Sequence, residues 1–152
     1  MEYFVNCNTA TLAPYSVPLD KTRVEHLFRR LGFSASAATV DQAVGQSADA
    51  LVDNLVDQAL ALPPLPAPTW AAWTRADYPE DDDAARPLIR EHIETLRLDY
   101  TQNLLDNNLR ERLSFFWSNH FVTEIDFYDS PAFLYEYLNC LQRNALGNFK
   151  TF

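Results

Sequence analysis

With 152 residues, of which 47% are hydrophobic and 22% charged, the chain has the size and balance of one globular domain. Only 3 glycines occur, which argues against a β-rich fold with many tight turns and against a glycine-rich phosphate loop. A formal net charge of -9 repels a phosphate backbone, so no nucleic-acid partner is expected.

Residues 1–19 mix Asn, Thr, Pro and aromatic side chains without helical period, and Pro14 and Pro18 interrupt any helix there. This segment reads as an extended arm. A helical domain over 20–152 follows, made of N-terminal helices at 20–62, a proline-rich and acidic linker at 63–83, and a long-helix bundle at 84–152. In the first helix Val24, Leu27, Phe28 and Leu31 fall at i, i+3, i+4 and i+7, with Asp20 or Lys21 opening it and Gly32 placed as a left-handed residue after its end. Ser36 caps a short second helix that Gly45 closes. Ser47 caps a third, with Leu51, Leu55, Val56 and Ala59 on one face.

The linker carries Pro63, Pro64, Pro66 and Pro68, which favour a semi-rigid polyproline strap, and Trp70 and Trp73 are spaced to anchor it. Glu80, Asp81, Asp82 and Asp83 lack the alternation and central Gly of a calcium loop and sit where a helix N-terminus favours negative charge. A long helix from about Ala84 or Leu88 to Leu105 presents Ile89, Ile93, Leu96, Tyr100 and Leu104, with Pro87 tolerable only in its first turn.

The densest aromatic stretch runs from Leu109 to Phe121. Leu109, Leu113, Phe116, Trp117, His120 and Phe121 fall at i, i+4, i+7, i+8, i+11 and i+12, which predicts an inward-facing ridge around which other helices pack. Ser130-Pro131 opens the next helix, with Leu134, Tyr137, Leu138, Leu141 and Ala145 as its stripe and Gly147 as its stop. Asn148 stands where it can cap one more turn. No alternating pattern predicts a strand. The fold expected is therefore all-α, an irregular multi-helix bundle with an extended N-terminal arm and a Pro-rich connecting strap.

His120, beside Asn119, is the first chemical candidate, as a general base or a ligand. The plainer alternative is a core histidine bonded to a carbonyl or to Glu124 or Asp126, and for Asn119 a helix-end cap. His26, Arg29 and Arg30 form a basic flank with Arg23 and Lys21, able to hold a phosphate or carboxylate, with ion pairing to the acidic stretches as the plainer alternative. His26, His92 and His120 have no ligand spacing, so no metal and no cofactor are expected. Cys7 and Cys140 make no disulfide framework, no nucleophile motif occurs, and no apolar run nears the roughly 20 residues of a membrane span. The N-terminus lacks a secretory pattern, which points to the cytoplasm.

Three segments together resemble a known family. His26-Leu27-Phe28-Arg29-Arg30-Leu31-Gly32-Phe33 resembles an H-L-x-R-R-x-G-F motif, Phe116-Trp117-Ser118-Asn119-His120-Phe121 resembles F-W-x-N-H-F, and the segment from Cys140 to Phe149 resembles L-R-x-x-A-L-G-N-F. In this order they look like the N-terminal part of the bacterial domain of unknown function 1800 family. That resemblance implies an N-terminal fragment of a much longer, mostly helical bacterial protein, with the missing C-terminal region as its partner. Many relatives look exported. Ser118 stands where a histidine often precedes the Asn-His pair, which weakens a two-histidine metal site on this helix. The family brings no established activity. Two roles follow as expectations: a structural or docking module, or part of a hydrolase-type site using His120 with Asn119 and Arg29 or Arg30.

Overall fold

The computed structural model describes residues 13–106, 109–123 and 130–151. Cys7, most of the N-terminal arm, the turn residues Asn107 and Asn108, and the carboxylates Glu124 and Asp126 lie outside the described residues. Within them the chain folds as six α-helices: α1 (Lys21–Leu31), α2 (Ala37–Ala43), α3 (Ala48–Ala61), α4 (Asp82–Asp106), α5 (Leu109–His120) and α6 (Pro131–Asn144). No strand occurs among the described residues, so the fold is all-α, as its periodicity predicts. Among the described residues no helix is long and apolar enough to cross a membrane.

The helix starts follow local chemistry. Asp20, Ser36 and Ser47 each accept the backbone N–H three residues on, from Arg23, Thr39 and Ala50, at 2.9, 3.1 and 3.2 Å. Each bond satisfies a donor that the first helical turn leaves open. Ser130 does the same for α6, with Pro131 at its first helical position. Asn148 caps a short 3₁₀ turn, Phe149–Thr151, accepting from the Lys150 N–H at 3.0 Å.

Two glycines behave differently from each other. Gly45 takes φ +88, the left-handed region, and donates to the Leu19 carbonyl at 2.8 Å. Leu19 in turn donates to the Gln46 carbonyl, tying the entry to α1 against the α2–α3 turn. Gly32, expected left-handed, is extended at φ -141. Its N–H still closes the helix on the Phe28 carbonyl at 2.8 Å. A Cβ on this buried glycine would approach that same oxygen to 3.3 Å, so crowding accounts for the residue and handedness does not.

α4 begins at Asp82, earlier than Pro87 allowed in the sequence reading, and places Pro87 inside the helix. The turn ahead of the proline is held from outside. Arg75 donates to the Pro79 and Glu80 carbonyls and to Asp82, at 2.6, 3.1 and 2.8 Å, and Ala85 is buried. These contacts offset the hydrogen bond that proline cannot donate.

Two apolar clusters result. Leu19, Val24, Phe28, Val40, Ala43, Leu51 and Leu55 fill the first, among α1, α2 and α3. Leu65, Trp70, Leu96, Leu134, Tyr135 and Leu138 fill the second, among the proline segment, α4 and α6. α5 lies between them, packed on α3, α4 and α6.

Candidate functional site

The inner face of α5 is not the predicted aromatic ridge. Leu109, Arg110, Glu111 and Ser114 are its buried residues, whereas Phe115, Phe116, Asn119, His120 and Phe121 are exposed and Leu113 and Trp117 half-buried. The helix is therefore turned so that polar groups point inward. The neighbours on that side explain the choice, because they are backbone groups and polar side chains that need partners. Arg110 Nη1 donates to the Leu62 and Pro63 carbonyls at 3.0 and 2.6 Å. Its Nε and Nη2 donate to Glu111 Oε1 at 2.9 and 2.6 Å. Gln142 of α6 donates to Glu111 Oε2 at 2.9 Å and accepts the Leu65 N–H at 3.2 Å. Tyr135 donates to the Leu65 carbonyl at 3.1 Å. Tyr100 shares a hydrogen bond with Ser114 at 3.2 Å.

With the polar side inward, the aromatic side faces out. The His120 ring lies over Phe116 at 4.7 Å between centroids and meets the edge of Trp117 at 5.8 Å. Trp117 stacks on Phe121 at 5.8 Å and on Phe149 at 5.6 Å, both at 23°. The indole is half-buried and donates through Nε1 to the Ala145 carbonyl at 3.4 Å, which fixes the row against the end of α6. Tyr137 donates to the Phe121 carbonyl at 2.8 Å and holds the last turn of α5. Yet Phe116, Phe121 and Phe149 remain 48%, 41% and 63% exposed. Beside them Phe121, Val122, Phe133 and Leu134 line a mostly apolar groove of about 620 Å³ between α6 and the end of α5.

The candidate residues from the sequence take separate places. Asn119 and His120 end α5; the Asn119 amide donates to the Phe115 carbonyl at 3.0 Å, while among the described residues the exposed His120 makes ring contacts only. His26, Arg29 and Arg30 share the exposed side of α1. Arg29 Nε donates to the Glu25 carbonyl at 3.2 Å; His26 and Arg30 have no hydrogen bond or ion pair among the described residues. Lys21 pairs with Asp41 at 2.9 Å and Arg23 pairs with Asp20. The loop after α1 does meet α5, through Phe33, which packs edge-on against Phe115 at 5.6 Å and lies under the Arg112 guanidinium at 5.0 Å. None of His26, Arg29, Arg30, Asn119 or His120 takes part in that junction. Among the described residues no group of three or more His, Cys, Asp or Glu side chains could hold a metal ion.

A second buried cluster joins the linker to α4. His92 stacks on Trp70 at 4.9 Å and 11°, meets the edge of Trp73 at 5.3 Å, and shares a 2.9 Å hydrogen bond through Nδ1 with the Tyr78 hydroxyl. Burial lowers the His92 pKa below its ordinary value, with the nearby Glu91 charge opposing. Burial likewise raises Tyr78, and the Asp77 charge adds to it. The signal was present: His92 lies seven residues after Ala85 and four before Leu96, on the buried stripe of α4.

An all-helical domain carrying an exposed aromatic face is the class this geometry defines. The family model for the protein of unknown function DUF1800 matches residues 26–152, and the chain belongs to that family. No curated protein and no solved structure matches it.

Proposed function

We propose that this chain is a docking module whose aromatic face, formed by Phe116, His120, Phe121 and Phe149, receives further helical protein. The first occupant to consider is the C-terminal region that the family resemblance implies, and a separate partner is the other. One observation carries the reading: a row of rings in mutual contact, anchored by Trp117 and Tyr137, in which Phe116, Phe121 and Phe149 are 48%, 41% and 63% exposed. Isolated surface rings are commonplace, whereas a contiguous ordered patch marks an interaction site. Expressing the remainder of the full-length protein as a second polypeptide tests it. The two parts should co-purify, and Phe116→Ser with Phe149→Ser should abolish this while leaving the helical circular dichroism unchanged. Co-purification that survives the double substitution would refute the reading.

A hydrolase-type site is the second reading, with His120 as base or ligand, Asn119 beside it, and Arg29 or Arg30 holding an anionic group. Its support is the accessibility of the His120 imidazole, which carries ring contacts alone among the described residues. It requires another part of the protein to complete the site. A panel of ester and phosphoester substrates, run on the full-length protein beside His120→Ala, distinguishes it: turnover that disappears in the variant supports this reading, and equal rates exclude it.

A further inference from the structure

The outward side of α6 carries a pattern of its own. Leu134, Leu138 and Leu141 turn into the core, and on the opposite side Phe133, Glu136, Cys140 and Arg143 follow at i, i+3, i+7 and i+10. Gly147 continues that spacing just past the end of the helix. The stripe is open. Phe133 is 67% exposed, and the Glu136 and Arg143 side chains are 58% and 54% exposed. These two approach each other only to 3.7 Å, by leaning across two turns of the same helix. At such exposure the pair adds little, and both groups remain able to pair elsewhere. Between them, half-buried Cys140 lies on the groove of about 620 Å³ that runs toward Phe121.

Acidic chains that meet must avoid setting carboxylate against carboxylate, and this stripe does so with itself. Glu136 and Arg143 stand seven residues apart, with Cys140 next to their midpoint. Two copies of α6 laid antiparallel about a two-fold axis at Cys140 set each Glu136 opposite the Arg143 of the other copy. The same register brings each Phe133 to the Gly147 of the other copy, where no side chain stands in its way. The two Cys140 side chains, small ones, then face each other on the axis and let the helices approach. A parallel pair would instead oppose glutamate to glutamate and arginine to arginine. A two-fold contact uses one patch twice, so it needs self-complementarity of this kind.

We propose that α6 is a self-association face: two copies of this chain pair antiparallel through Phe133, Glu136, Cys140 and Arg143, exchanging the Glu136–Arg143 contact within each chain for two such contacts between chains.

The formal net charge of -9 on each copy works against any contact, and it favours a stripe that is itself neutral. The gain comes from the Phe133 rings, which leave water, and from charge pairs that fix the register. One helix from each copy makes a small interface, so the pairing is transient, with a Kd of about 10–100 µM. Well below that range the copies are apart, and there the aromatic face of α5 can be tested by itself. Phe116, His120 and Phe149 lie outside the stripe, so the pairing does not rest on what that face binds.

Sedimentation equilibrium of the 152-residue chain, at concentrations on both sides of that range, tests the proposal. The unsubstituted chain should pass from monomer to dimer. Glu136→Arg sets arginine opposite arginine and should weaken pairing roughly tenfold or more. Arg143→Glu sets glutamate opposite glutamate and should do the same. Mixed in equal amounts, the two variants regain opposite charges at both contacts and should pair at least as tightly as the unsubstituted chain. Phe133→Ser should weaken pairing with its helical circular dichroism unchanged. All three positions are exposed, and recovery in the mixture itself shows that both charge variants are folded. An unsubstituted chain that stays monomeric throughout overturns the proposal. So does pairing that the charge reversals or Phe133→Ser leave unchanged, and so does a mixture that pairs no better than its components.

Discussion

At the scale of single residues, burial decides what a charge is worth. Arg110 and Glu111 are neighbours in sequence and both buried, at 6% and 0% exposure. Truncating one strands the other, so Arg110→Ala should cost about 3–5 kcal/mol in urea unfolding. Lys21 and Asp41 form an ion pair at a similar distance, but both are well exposed. Lys21→Ala should cost no more than about 1 kcal/mol. The comparison is a sharp check, because the two pairs look alike in a list of contacts. His92 gives the pH dependence. Its folded-state pKa lies below the ordinary value of 6.5 because burial disfavours the imidazolium. Above pH 6.5 both folded and unfolded states hold it neutral, and its contribution is fully present. As pH falls below 6.5 the unfolded chain takes up a proton that the folded one refuses, and stability is lost until the pH passes the folded-state value. Unfolding free energies measured between pH 8 and pH 5 should show this decline, and His92→Gln should flatten it.

At the scale of elements, the sequence was most legible where the causes are local. Asp20, Ser36, Ser47 and Ser130 cap the helices that their neighbours predict, because a cap needs only its own next three residues. The orientation of α5 was illegible for the opposite reason. Its buried side is chosen by the carbonyls of Leu62 and Pro63, 48 and 47 residues away from Arg110. Hydrophobic periodicity reports which side chains avoid water and says nothing about distant backbone groups that need donors. The aromatic run was visible, but the side it faces was not, and the pocket around His92 was illegible because its partners Trp70, Trp73 and Tyr78 come from the linker. Pro87 shows the same override on a smaller scale. Its interior position in α4 is tolerated because Arg75 and Ala85 hold the preceding turn. Pro87 is exposed, so Pro87→Ala should restore the missing helical bond without disturbing packing. A gain of about 1–3 kcal/mol in thermal unfolding is expected.

At the scale of the whole molecule, two opposing properties meet on one surface. The net charge of -9 drives copies of the chain apart, while the rings of Phe116, Phe121 and Phe149 draw apolar surface together. Which one wins depends on ionic strength, because the repulsion acts over a screening length of about 8 Å at 0.15 M salt and about 3 Å at 1 M. Burial of aromatic surface is not screened. Sedimentation of the chain alone should therefore show an average mass that rises between low salt and 1 M sodium chloride. If the aromatic face is the cause, Phe116→Ser with Phe149→Ser should hold the mass at that of the monomer across the whole range. A rise that persists in the double variant would place the sticky surface elsewhere, with exposed Leu98 and Leu105 of α4 the next residues to substitute. A flat profile in the unsubstituted chain would mean that the exposed rings bury too little area to hold a partner, and the docking role would lose its driving force.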